Sequence, residues 1–220
     1  MSRPASTATA RLGTSMFALV VLFATGWARA DSYFLTVAGL GGEPDYEQRF
    51  QQLADDLDRV FKGGGATNHV FTMSGKDATR ANFGAVMRVI AGQAQPEDDF
   101  VLILIGHGSF DGQQYKFNLV GPDITAVALA QWCGRIGSKR QLVVNTTSAS
   151  GGSVAVLARG GRAVIAATKS GTEKNATVFA RYWVEALQDP TADVDKNESI
   201  SALEAFQYAT AKTAAFYESQ

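Results

Sequence analysis

Phe100 to Ile105 is an unbroken run of six apolar residues that leads into Gly106-His107-Gly108. A run of that kind suits a strand covered on both faces, as the central strands of parallel sheets are. Shorter segments of similar character precede it. Tyr33–Ala38 reads as a first strand, and Gly39 to Gly42 ends it. Pro44 then opens a helix whose apolar residues, Tyr46, Phe50, Leu53, Leu57 and Val60, repeat every three or four positions, so one face is buried. Gly63 to Gly65 stops that helix, and His69–Met73 follows as a second strand. Thr79 caps a second helix, with Phe83, Val86, Met87 and Ile90 inward. Gln95 to Asp98 turns into the central strand. The order β-α-β-α-β implies right-handed crossovers and parallel pairing.

The pattern continues beyond His107. Asp111-Gly112 marks a turn, and Gln113–Leu119 alternates loosely, as a small hairpin would. A helix then carries Leu129, Trp132, Cys133 and Ile136 inward. Gln141–Asn145 is a further strand and runs into the hydroxyl-rich loop Thr146–Ser153 and a short helix, Val154–Leu157. Arg162–Thr168 is a fifth strand, Lys169–Asn175 a polar loop, and Ala176–Leu187 a helix. The expected fold is α/β, a three-layer α-β-α sandwich on a mainly parallel sheet. Residues 31–220 form one domain, which ends in a helix-loop-helix over about 176–218.

Composition agrees with one domain of substantial core: 220 residues, 46% hydrophobic and 19% charged. No basic stripe interleaved with aromatics is present, which argues against a nucleic-acid partner. Residues 1–30 read as a secretory leader. Arg3 and Arg11 precede the apolar stretch Met16–Phe23, and Ala28-Arg29-Ala30 has the small-x-small form of a cleavage site, which makes Asp31 the mature N-terminus. The stretch is short for a membrane span, so the expectation is a periplasmic or secreted protein with no stable membrane span after cleavage. Loss of the leader's three arginines takes the 20 basic residues to 17 against 21 acidic ones, a formal charge of -4.

Candidate chemistry gathers at two strand ends. His107 follows the central strand between two glycines, at the sheet edge where α/β proteins build sites. The loop after Asn145 combines hydroxyls, glycines and a helix start, a setting for a nucleophile or an oxyanion. The chain has one cysteine, Cys133, which excludes an internal disulfide; its place in a helix reads as a buried apolar residue. His69, near a strand start, reads as structural. Two histidines are too few for a dedicated His-rich metal site.

The segment Asp193–Glu204 places oxygens at loop positions 1, 3 and 5 (Asp193, Asp195, Asn197), a backbone carbonyl at Ser199 and a glutamate, Glu204, at the twelfth. That is the spacing of an EF-hand calcium loop. Glu198 stands where such loops carry glycine, which weakens the turn. The same residues also read as a helix start, with Ser201 as cap and Glu204 completing a capping box. No cofactor is required, and calcium is the one candidate ion.

Gly106-His107-Gly108, Thr147-Ser148-Ala149-Ser150-Gly151 and Arg162–Thr168, in this order and spacing, resemble the caspase-like, or clan CD, cysteine peptidases, most of all the legumain-type branch and its bacterial relatives. The likeness extends over nearly the whole mature chain. It implies a caspase-like sheet with His107 and the nucleophile on adjacent strand ends. In active members that loop reads roughly Ala-Cys-x-Ser-Gly; here Ser148 occupies the cysteine position. A serine hydroxyl needs a well-oriented base, usually held by a carboxylate, and only Asp111 and Asp123 are placed to serve. The leading expectation is an exported pseudopeptidase that keeps His107 and the backbone donors of Gly108 and Ser148 and binds a peptide or protein segment. The alternative is an active serine-type peptidase or transpeptidase with Ser148 as nucleophile and His107 as base, or with Thr146, Thr147 or Ser150 in that role after a register shift.

Overall fold

A computed structural model describes residues 30–65 and 67–220. The expected leader lies outside the described residues except for Ala30. Five parallel strands make the central sheet: β1 (Ser32–Ala38), β2 (Asn68–Met73), β3 (Asp99–Ile105), β7 (Arg140–Asn145) and β8 (Arg162–Ala166), in the order β2-β1-β3-β7-β8. A second, antiparallel sheet of β4 (Gly108–Phe110), β5 (Tyr115–Phe117) and β6 (Ile124–Thr125) follows β3 directly.

Alternation along β3 shows why it is central. Phe100, Leu102 and Leu104 enter one core with Phe83, Met87 and Ile90 of α2 (Arg80–Gln93), Leu129 and Cys133 of α3 (Ala126–Gly134) and Leu157 of α4 (Val154–Leu157). Ile103 and Ile105 enter the other, with Phe50, Ala54 and Leu57 of α1 (Pro44–Gly63), Phe179 and Trp183 of α5 (Phe179–Ala186) and Ala205 and Ala209 of α6 (Ala202–Glu218). All five of these β3 side chains are at most 1% exposed; each burial stabilises by about 1.5–3 kcal/mol. The molecule is therefore a three-layer α-β-α sandwich. No helix among the described residues is long and apolar enough to cross a membrane.

Three local expectations need correction. The helix read as Ala176–Leu187 begins at Phe179, because Thr177 donates its hydroxyl to the Thr146 carbonyl at 2.8 Å and keeps the preceding segment against the sheet edge. The strand read as Arg162–Thr168 stops at Ala166, because Thr168 turns to exchange hydrogen bonds with Ser150 and Gly151. Glu198 does not prevent the sharp turn: it takes φ of 66° itself and donates its N–H to Asp193 at 2.9 Å.

Candidate functional site

Neighbouring strands β3 and β7 pair in parallel with Leu104 beside Asn145, so the segments after them leave the same sheet edge. Both glycines around His107 are required there. Gly106 has φ of 141°, and a Cβ on it would crowd the Gly39 amide. A Cβ on Gly108 would lie 2.5 Å from the Ser148 carbonyl and 2.6 Å from both Thr147 Oγ1 and the Tyr115 ring. The two loops are packed backbone to backbone.

Ser148 is 2% exposed. Its Oγ accepts the Gly108 N–H at 3.1 Å and donates to the Gly108 carbonyl at 3.0 Å. The half-buried His107 ring turns elsewhere. It packs edge-on against Tyr46 and Phe50 of α1, with centroids 4.9 and 5.2 Å away. Among the described residues no hydrogen bond joins that ring to Ser148 or to any other hydroxyl. The strand ends thus bring the two residues to one edge without forming a nucleophile–base pair. The Gly108 amide, which a peptidase would offer to an oxyanion, is occupied by the serine.

The two acids considered as orienting groups are also engaged locally. Asp111 accepts the N–H groups of Gln113 and Gln114 and pairs with Lys116 at 3.3 Å; the backbone bond from Gln114, followed by the others, holds its carboxyl below the usual range. Asp123 accepts the Leu119 N–H. Neither serves His107.

The remaining hydroxyls of the loop are structural. Tyr115 shares hydrogen bonds with Thr147 Oγ1 at 2.7 Å and Asn145 Oδ1 at 3.2 Å, and Asn145 Nδ2 donates to Ser153. Burial pushes the Tyr115 phenol up to about 12, so it stays protonated. Thr146 donates to the Leu104 carbonyl, Ser153 to the Ser150 carbonyl, and Ser150 meets Thr168. Shifting the register therefore yields no free hydroxyl. Ala149 follows Ser148 in the left-handed region, φ 55°, and its amide is taken by the Glu173 carbonyl at 2.7 Å.

Sequence reasoning missed the cleft beside His107. A cavity of about 370 Å³ is lined by Tyr46, Arg49, Phe50, Gly106, Thr146 and Arg181, among others, and no carboxylate lines it. That volume is in the range of small-ligand and side-chain pockets. Arg49 lies over the Tyr46 ring and Arg181 over Tyr182, at 5.2 and 5.4 Å. Among the described residues neither guanidinium is in an ion pair. The signal was a pair of arginines, one on α1 and one on α5, that only the fold brings to a common opening.

The other candidates are placed as follows. Cys133 is fully buried, and burial pushes its thiol up to about 11. His69 stacks on Tyr33 at 4.5 Å with its Nε2 3.1 Å from Asp31, a structural role. In the 193–204 loop the capping box forms: Ser201 Oγ accepts the Glu204 N–H, and Glu204 accepts the Ser201 N–H. Asp193, Asp195 and Glu204 offer oxygens within 4.8 Å of one another, and these are the atoms a cation would share. Those carboxylates accept the loop's own amides, from Val194, Asn197 and Glu198. Asn197 bonds Asp195, and its Oδ1 takes the Ser199 N–H.

No family model matches the chain, and no curated protein matches it. Among solved structures, the crystal structure of protein GSU0716 from Geobacter sulfurreducens is similar over 55% of this chain and 50% of its own, at 17% identity and a TM-score of 0.41. The chain thus spans about half of that protein, a likeness too partial to bear on fold or activity.

Proposed function

We propose that this chain is an exported, catalytically silent relative of the caspase- and legumain-type peptidases, which holds an acidic segment of a peptide or protein in the cleft beside His107. One observation carries the silent reading: Ser148 Oγ closes a two-bond ring on the backbone of Gly108. A nucleophile needs its proton within reach of a base, whereas this hydroxyl gives its proton to a carbonyl. The same contact fills the amide that would stabilise an oxyanion, usually the largest electrostatic contribution to acyl transfer.

Binding is supported by the cleft itself. It has an aromatic wall, Tyr46 and Phe50, and two guanidinium groups without a counter-charge at its rim. Arginine suits carboxylate recognition because its planar fork matches two oxygens at once. Ligand side chains of Asp or Glu therefore fit better than neutral or basic ones.

The test uses the mature protein. A peptide library scored for binding should enrich acidic residues, and Arg49→Ala or Arg181→Ala should each weaken the best binder about tenfold, or ~1.4 kcal/mol. A serine-reactive phosphonate should leave Ser148 unlabelled. Labelling at Ser148 that disappears in His107→Ala would establish the active serine-type alternative in its place.

A further inference from the structure

Asp98 is a buried carboxylate, 5% exposed, at the amino-terminal edge of the sheet. An isolated buried charge is costly unless it is paired. Asp98 makes no ion pair among the described residues; Arg140 engages the neighbouring Asp99 instead, at 2.6 Å. Two backbone amides serve Asp98: Gln95 N at 2.7 Å on Oδ2 and Asp31 N at 2.8 Å on Oδ1. Asp31 is the residue immediately after Ala28-Arg29-Ala30.

The surroundings of Asp31 fix its nitrogen in place. Its carbonyl accepts the Asp99 N–H at 2.9 Å. Its carboxylate reaches His69, which stacks on Tyr33. Ser32 then starts β1 between Asn68 of β2 and Asp99 of β3. One residue thus ties the amino ends of three adjacent strands, and the atom aimed at the unpaired acid is the one that chain cleavage would turn into a cation.

We propose that the Ala30–Asp31 bond is a processing site and that Asp98 is the built-in acceptor for the α-ammonium that its hydrolysis creates. A leader-removing endopeptidase adds water across that bond. The hydroxyl goes to the Ala30 carbonyl carbon, leaving a carboxylate on the released leader, and the Asp31 nitrogen becomes an amine. An α-amine is mostly protonated at neutral pH, so a neutral N–H···O⁻ contact becomes a charge-assisted one with a buried partner. Removal of the leader then does more than release the protein: it completes the anchor of the central strands. The inference rests on reading residues 1–30 as an export leader and is independent of any ligand in the cleft at the opposite edge.

The experiment begins by expressing the full 220-residue chain in an exporting bacterium and sequencing the N-terminus of the exported product, expected at Asp31. The processed protein is then compared with one that starts a single residue earlier, at Ala30. The Asp31 form should melt about 4–8 °C higher, as one or two units of added stability imply for a domain of this size, and Asp98→Asn should erase that difference. Cyanate should carbamoylate the Asp31 amine of the folded wild-type protein at least tenfold more slowly than in urea, a readout that needs no variant. A different N-terminus, equal melting of the two forms, or carbamoylation at the unfolded rate would each overturn the proposal.

Discussion

Replacing Ser148 by alanine separates a structural serine from a catalytic one. The substitution removes an oxygen that makes two hydrogen bonds, of 3.1 and 3.0 Å, to the backbone of one residue on the neighbouring loop. Each such bond contributes about 0.5–1.5 kcal/mol net. Ser148 is buried while Gly108 is half-buried, so water replaces part of what Gly108 loses, and the expected cost is about 1–2 kcal/mol. For a domain of this length that lowers Tm by about 3–8 °C. Urea melts of wild type and Ser148→Ala should show a lower midpoint with an unchanged slope. Ser109→Ala is the control: Ser109 is exposed on the adjacent strand, and surface substitutions of that kind stay within about 0.5 kcal/mol. Residues kept for chemistry commonly behave in the opposite way, because removing them relieves strain or unpaired polarity. An unchanged or raised Tm in Ser148→Ala would therefore refute the structural role and return the hydroxyl to the list of nucleophiles.

Gly108→Ala should be far more damaging, costing ~3 kcal/mol or more, because the new methyl would meet the Ser148 carbonyl at 2.5 Å and the Tyr115 ring at 2.6 Å; soluble yield and thermal melts check it. Hydrogen bonds from the Ser201 backbone, then from its hydroxyl, hold Glu204 at about 2 against an ordinary 4.5. The folded state prefers the ionised form, so its stabilisation is complete above about pH 5 and is lost as pH falls toward 2; melts across that window should be flatter for Glu204→Gln. Glu198→Gly should raise Tm slightly, since a positive φ costs a non-glycine residue about 1 kcal/mol, partly offset by glycine's greater unfolded-state entropy. A fall in Tm would mean that the Glu198 side chain contributes more than its backbone costs.

Much of the architecture was legible in the chain because burial on two faces leaves a contiguous apolar signature, as Phe100–Ile105 does. The cap of α2 at Thr79 and the capping box at Ser201 were legible for a local reason: partners lie three residues apart. The site was legible only to the level of the edge on which it sits. Nothing near Ser148 in sequence announces that its hydroxyl bonds a residue 40 positions earlier, and the loop's composition fits a nucleophile as well as a lock. Asp111 and Asp123 illustrate the converse error. Proximity to His107 along the chain suggested a shared task, yet short acidic side chains satisfy their own turn amides first. Arg49 and Arg181 went unnoticed because each, on its own helix, looks like an ordinary exposed charge. The two-residue strand β6 escaped because Ile124-Thr125 is too short to show any alternation.

Cys133 gives the chain a practical property. Its sulfur is sealed between α3 and the sheet and is held protonated at neutral pH, so maleimide dyes would pass it by in the folded protein. A reporter thiol placed at the cleft rim would then be the sole labelled position without any need to delete the natural one, and its fluorescence could follow ligand capture in real time.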